Sequence, residues 1–257
     1  MLLELEGVSK KFAGLEALRD VSLRIEPGAT YGLIGPNGAG KTTLFNLITG
    51  VGPATSGSVK FLGEDITRAA PHQIARRGLS RTYQLVRPFY GLSATENVKV
   101  SIMFGRTTIA PPVQDIDREA LSYLRMVELD TKATSLIADL NLGERKRLEI
   151  AKAIAAQPKL VLFDEVLAGL NPTEASQAIG LLERIRLSGT TIFMIEHNMQ
   201  AIMRACSHIF VLHHGLLIAE GSPQQISTDP KVVEAYLGRK DLRLERRKRR
   251  SQPNAQY

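Results

Sequence analysis

The chain has 257 residues, 44% of them apolar, a formal net charge of +7 and a single cysteine, Cys206. This length suits one large α/β domain with an insertion; no apolar run approaches the roughly 18 residues of a membrane-spanning helix, and one cysteine excludes an internal disulfide, leaving a buried structural thiol. A basic nucleic-acid module is excluded too, because residues 239–250 hold eight basic and two acidic side chains and so carry +6 of the +7.

At the N-terminus, MLLELEGVSK reads as an acidic strand rather than the charged, apolar and small-residue blocks of a signal peptide, so a cytosolic chain is expected. Leu3, Leu5 and Val8, then Val21, Leu23 and Ile25, keep an alternating apolar pattern up to the turn-forming pair Pro27 and Gly28, and predict strands. A short apolar strand at Thr30–Ile34 leads into a glycine-rich loop and a helix over Thr42–Thr49 that stops at Gly50.

The loop between them, residues 35–43, reads Gly35, Pro36, Asn37, Gly38, Ala39, Gly40, Lys41, Thr42, Thr43. A glycine, four residues, a second glycine, then Lys and Ser or Thr is the spacing of a phosphate-binding loop. Its glycines let backbone N–H groups turn inward around phosphates, and the following helix points the positive end of its dipole at them. Lys41 is placed to reach the β- and γ-phosphates, and the Thr42 hydroxyl to ligate Mg²⁺. ATP and Mg²⁺ are therefore the expected substrate and cofactor.

From about residue 86 to 157 the strand signals give way to helical spacing at Ala94–Phe104, Asp117–Glu128 and Gly143–Ala156, with the Pro111–Pro112 pair marking a loop. Strands return at Leu160–Phe163 and Thr191–Ile195, short continuous apolar runs of the kind buried in parallel sheets, each after a helical segment. Together these predict a doubly wound sheet. The first run ends in Asp164 and Glu165, at the strand edge where such sheets bind ligands. Asp164 is the candidate holder of Mg²⁺ and Glu165 the candidate general base for the attacking water. The basic tail reads first as a solvated end, with anionic lipid or RNA as lesser alternatives.

Four further segments bring a family into view. Gln84 in RTYQLVRPF, LNLGERKRLEIAKAI from Leu140, AGLN at 168–171 and His197 in MIEHNM follow the phosphate loop in the order found in ABC ATPases, and the chain resembles that family over residues 1–238. The resemblance implies a P-loop core, a mixed and mainly parallel sheet with helices on both faces, in residues 1–85 and 158–238. It also implies an N-terminal antiparallel β part, a helical subdomain inserted at 86–157, and a tail at 239–257 outside the domain. Gln84 then senses Mg²⁺ and the attacking water, His197 holds the γ-phosphate, and Phe12 is the platform for adenine, against the competing reading of a core phenylalanine. Asn141, Gly143 and Glu144 stand in the signature segment, which in the family closes the site of a facing subunit. That segment departs from LSGGQ: Asn141 replaces Ser, Leu142 the first Gly and Glu144 the Gln. An Asn amide still donates a hydrogen bond, whereas Leu142 removes backbone freedom.

RTYQLVRPFYGLSATENV, DEVLAGLNPTE, IEHNM and VVEAYLG further resemble the ATPases of branched-chain and hydrophobic amino-acid importers. This implies two transmembrane permease subunits, a second ATPase subunit (the same chain or another), an extracytoplasmic solute-binding protein, and a place on the cytoplasmic face of the inner membrane, with no nucleic acid. Relatives handling urea, amides or lipids, an exporter motor, a soluble ABC ATPase of ribosomes or DNA repair, and a degenerate regulatory partner are the alternatives.

Overall fold

The computed structural model describes residues 1–83, 88–106 and 112–236. In chain order the elements are β1 (Leu3–Phe12), β2 (Leu15–Ile25), β3 (Thr30–Ile34), α1 (Lys41–Ile48), β4 (Ser56–Phe61), β5 (Glu64–Asp65), α2 (Pro71–Arg76), β6 (Leu79–Arg81), α3 (Ala94–Phe104), α4 (Val113–Met126) and α5 (Leu142–Ala155). After these come β7 (Leu160–Asp164), α6 (Pro172–Leu187), β8 (Thr191–Ile195), α7 (Met199–Ala205), β9 (His208–His213), β10 (Leu216–Gly221) and α8 (Pro223–Thr228).

The first two strands pair antiparallel, and Leu3, Leu5 and Val8 lie opposite Ile25, Leu23 and Val21, the six residues whose pattern marked them in the sequence. The three-residue step from Leu5 to Val8 breaks strict alternation because the register shifts there, at Gly7 with φ 60°. Such a bulge keeps Val8 on the buried face. With β4 and β5 this makes a four-stranded antiparallel sheet, ordered β2-β1-β4-β5.

The second sheet has six strands in the order β10-β9-β3-β8-β7-β6, parallel except for β10 at one edge. Its inner strands are apolar throughout because both faces are covered. On β7, Leu160 and Leu162 join one core with the antiparallel sheet and with Leu44, Phe45, Leu47 and Ile48 of α1. Val161 and Phe163 join the other, with α3, α4, α5 and α6. The same split runs through Phe193 against Ile192 and Met194 on β8, and Phe210 against Ile209 and Val211 on β9. Truncating a fully buried Phe163 to Ala at this junction costs about 3–5 kcal/mol.

The helices α3, α4 and α5 share one core built from Val98, Ile102, Ala120, Leu124, Leu148 and Ala151. Helices α3, α5 and α6 each begin at a reciprocal capping box, Ser93 with Glu96, Asn141 with Glu144 and Asn171 with Glu174. Spacing alone set α4 to begin at Asp117; it begins at Val113, right after Pro112, whose ring favours a helix start there. Cys206 is buried, and that burial pushes its thiol up to about 12. No described helix is long and apolar enough to cross a membrane.

Candidate active site

The loop from β3 to α1 is shaped by its neighbours. A Cβ on Gly35 would sit 2.1 Å from the Leu212 carbonyl oxygen of β9, and one on Gly40 would sit 2.7 Å from that of Ala17. At Gly40, φ 106° adds the left-handed geometry that glycine alone takes freely. Gly40 caps α1 with no side-chain hydrogen bond and no acid in the first turn, so the first N–H groups of the helix stay available to an anion.

Lys41 is 7% exposed and arches back over the loop, its Nζ donating to the carbonyls of Gly35 at 2.7 Å and Pro36 at 3.0 Å. Burial lowers its pKa, and the nearby charges of Glu165 and Asp164 work against that fall. Two acids facing a buried ammonium make a charged floor for a phosphate chain.

Asp164 ends β7 and is 4% exposed. The next residue, Glu165, has φ 55°, a left-handed conformation that a non-glycine residue keeps only where its surroundings hold it. The holding contact is its own N–H, which donates to Ile195 O at 3.0 Å and ties the ends of β7 and β8 together. His197, two residues past β8, then meets Glu165 directly, Nε2 to Oε1, at 2.7 Å. Between them Glu196 is buried and accepts the Leu167 N–H at 2.7 Å; burial, the largest cause, raises it to about 7.

Lys41, Glu165 and His197 share a cleft of about 1050 Å³, lined also by Phe12 and the rest of Asn37 to Thr43. Phe12 is 52% exposed with Lys10 Nζ 4.9 Å from its ring centroid, so it is a surface ring and not a core one. Leu15, Glu16, Arg19 and His214 also line the cleft, and sequence reading missed all four. His214 arrives on the β9–β10 turn, whose Gly215 donates to Ala39 O and accepts from Arg19 N–H. No local pattern marks such a residue, since its role in the cleft wall depends on a hairpin closing on the phosphate loop from far along the chain.

Asn141, Gly143 and Glu144 do not line this cleft. Asn141 and Gly143 border a separate crevice between α5 and α6, and Asn141 and Glu144 bond to each other's backbone N–H at 2.9 and 2.8 Å. Gln84 lies outside the described residues. For Mg²⁺ the donor chemistry fits: Thr42 offers a hydroxyl in the cleft and Asp164 a buried carboxylate at the end of β7, next in the chain to the cleft-lining Glu165, both hard oxygen donors. Among the described residues no group of three or more His, Cys, Asp or Glu gathers as a cage.

The family described as ABC transporter matches residues 18–168, more than half of the sequence. The chain belongs to the ABC transporter family. ATP binding and hydrolysis come with that membership, on the fold of an ABC ATPase domain. A second family, described as branched-chain amino acid ATP-binding cassette transporter, matches residues 217–241. The chain is 37% identical over 249 residues to the high-affinity branched-chain amino acid transport ATP-binding protein BraF of Pseudomonas aeruginosa, covering 92% of this chain and 98% of that one. It is 34% identical to the probable branched-chain amino acid transport ATP-binding protein LivG of Archaeoglobus fulgidus, over 95% and 98%. It is also 35% identical to the lipopolysaccharide export system ATP-binding protein LptB of Acidithiobacillus ferridurans, over 92% and 97%. Among solved structures, an ATP-binding cassette of an ABC transporter in its ADP conformation superposes with a TM-score of 0.83 at 31% identity, covering 92% of this chain and 98% of that one.

Proposed function

We propose that this ABC ATPase powers an importer of branched-chain or other hydrophobic amino acids, working with two permease subunits, a second ATPase subunit and an external solute-binding protein at the cytoplasmic face of the inner membrane. The observation that carries the ATPase half is the meeting of Lys41, Glu165 and His197 in one cleft. The solute class rests on the likeness to BraF and LivG and on the match at residues 217–241.

In this reading adenine stacks on Phe12, and the backbone N–H groups of residues 37 to 43 cradle the phosphates with Lys41 beside them. Thr42 and Asp164 would hold Mg²⁺, with Gln84 as a further contact, and the ion would supply neutralisation of phosphate charge. Glu165 orients the attacking water and takes its proton, and His197 fixes Glu165 while facing the γ-phosphate. Asn141, Gly143 and Glu144 serve the facing subunit's nucleotide. Asn141 Oδ1 is committed to the cap, which leaves the amide N–H₂ to donate, while the cap holds the Glu144 carboxylate on its own helix end. The helical unit of α3 to α5 is, by the same proposal, the subdomain that carries this half-site.

The test is co-purification of the chain with its membrane partners and ATPase assay with leucine-like solutes presented by the binding protein. Recovery of permeases with solute-stimulated hydrolysis is expected. Stimulation by lipid instead would move the assignment toward the LptB-like branch, and recovery of ribosomes or nucleic acid would remove the transport reading.

A further inference from the structure

Arg81, the last residue of β6, stands three positions before Gln84, and its guanidinium is buried where β6, β7 and α1 meet. Nη2 lies 2.8 Å from Asp164 Oδ2, with side-chain exposures of 4% and 3%. Nη1 donates to Asn46 Oδ1 at 2.7 Å and reaches Thr49 Oγ1 at 3.3 Å. The group lies over the rings of Phe45 and Tyr83, 5.5 and 4.9 Å from their centroids. Its Nε is buried without a hydrogen-bond partner, the one such side-chain atom among the described residues.

Stability is a poor explanation for this arrangement. Burying a charged pair costs desolvation, and an orphaned N–H adds to it, whereas an apolar side chain between the two rings would avoid both. What the guanidinium does have is a fork. One prong grips Asp164 and the other grips α1 at Asn46, one helical turn beyond Thr42 and on the same face. A lysine has no such fork, because its ammonium is a single point charge.

We propose that Arg81 is a positioning residue for the hydrolytic site, a clamp that sets the Asp164 carboxylate against the helix carrying Lys41 and Thr42. It occupies one oxygen of Asp164, leaving the other for the ion, and it fixes the distance between the two protein groups that would hold Mg²⁺. It also sets a positive charge against the Asp164 carboxylate, next in the chain to Glu165. This rests on the reading of Thr42 and Asp164 as the Mg²⁺ residues.

The experiment measures binding of a fluorescent ATP analogue to the full chain, first in EDTA and then across a Mg²⁺ titration. Outer partners of metal ligands typically tune metal affinity by about 10–100-fold. Arg81→Lys is therefore expected to bind nucleotide in EDTA like the parent, while its Mg²⁺ midpoint rises about 10-fold or more. The double variant with Asp164→Asn should lose no more than Asp164→Asn alone. Asn46→Ala leaves the buried pair intact and removes the shorter of the two ties to α1, so it tests the clamp even if Arg81→Lys fails to fold; its midpoint should rise in the same direction. Parent-like Mg²⁺ midpoints in the folded variants would overturn the clamp. Absence of nucleotide binding by the parent itself would instead overturn the ATPase reading on which it stands.

Discussion

The phosphate-loop cleft and the N-terminal end of α5 are both built at the start of a helix, yet they spend their polar groups in opposite ways. In the cleft the first turn of α1 has no side-chain cap and no acid, and Lys41 is buried facing two carboxylates. At α5 the side chains of Asn141 and Glu144 are turned back on the helix's own backbone. The first region is most of a catalytic site in one chain; the second is a stable helix start with one amide left to offer. Under the proposed function these two regions, apart from each other in one chain, are the two halves of a site that closes between copies or between this chain and a second ATPase. The physical link between them within one chain is Lys146 of α5, whose Nζ donates to Ala168 O and lies 3.5 Å from Glu165 O.

Substitutions on each side separate these roles. The largest effect belongs to the cleft: Glu165→Gln should lower kcat by about 10²–10⁴-fold while ATP is still bound and the ATP-bound dimer persists, read by steady-state hydrolysis and by size in solution. Near-parent turnover would remove Glu165 as the base.

The segment after β8, between Ile195 and the cleft-lining His197, carries a pH signature. Glu196 is raised by burial from its ordinary 4.5 to about 7, so the folded chain holds a proton that the unfolded chain releases first. Its contribution to stability is full below pH 4.5 and is lost as pH rises through about 7, by up to about 3 kcal/mol. Glu196→Gln keeps an acceptor for the Leu167 N–H and should gain stability relative to the parent across that window in denaturant titrations. Parallel pH profiles for the two proteins would place the Glu196 charge elsewhere.

Phe12→Ala should weaken nucleotide binding by about 1–3 kcal/mol, the worth of a base stacked on an aromatic ring, with little change in thermal stability because the ring is already half-exposed. A large stability loss with unchanged affinity would return Phe12 to a packing role. The smallest effect is at α5, where Asn141→Ala removes a cap worth about 1 kcal/mol. Asn141→Ser restores the cap and sharpens the contrast. If hydrolysis by the assembled transporter falls in Asn141→Ala and recovers in Asn141→Ser, the residue serves both helix and partner site; if only stability changes, it serves the helix alone.

Much of the cleft was legible beforehand because its requirements are local. Glycines 35, 38 and 40 answer to backbone geometry, and Asp164 and Glu165 stand at the end of an apolar run that can be read residue by residue. Other parts had no such mark. Strand β6 is three residues long, too short for a period to emerge, so Arg81 gave no sign of lying in a sheet. Strand β10 is half-exposed at an antiparallel edge and lacks the continuous apolar run of its neighbours. Phe12 stood open between core and surface until its exposure decided it.

What the sequence determined by itself is the phosphate loop, the two-faced apolar strands and the start of α5, since turn geometry, side-chain alternation and capping act over a few residues. Only the tertiary structure decided that Glu165 meets His197, that Arg81 grips Asp164, that His214 walls the cleft and that Asn141 stays away from it. The first three outcomes follow from a sheet ordered β10-β9-β3-β8-β7-β6, which brings together strand ends far apart in the chain. Crossover connections set that order, and a contact made across them leaves no local trace in the residues that make it.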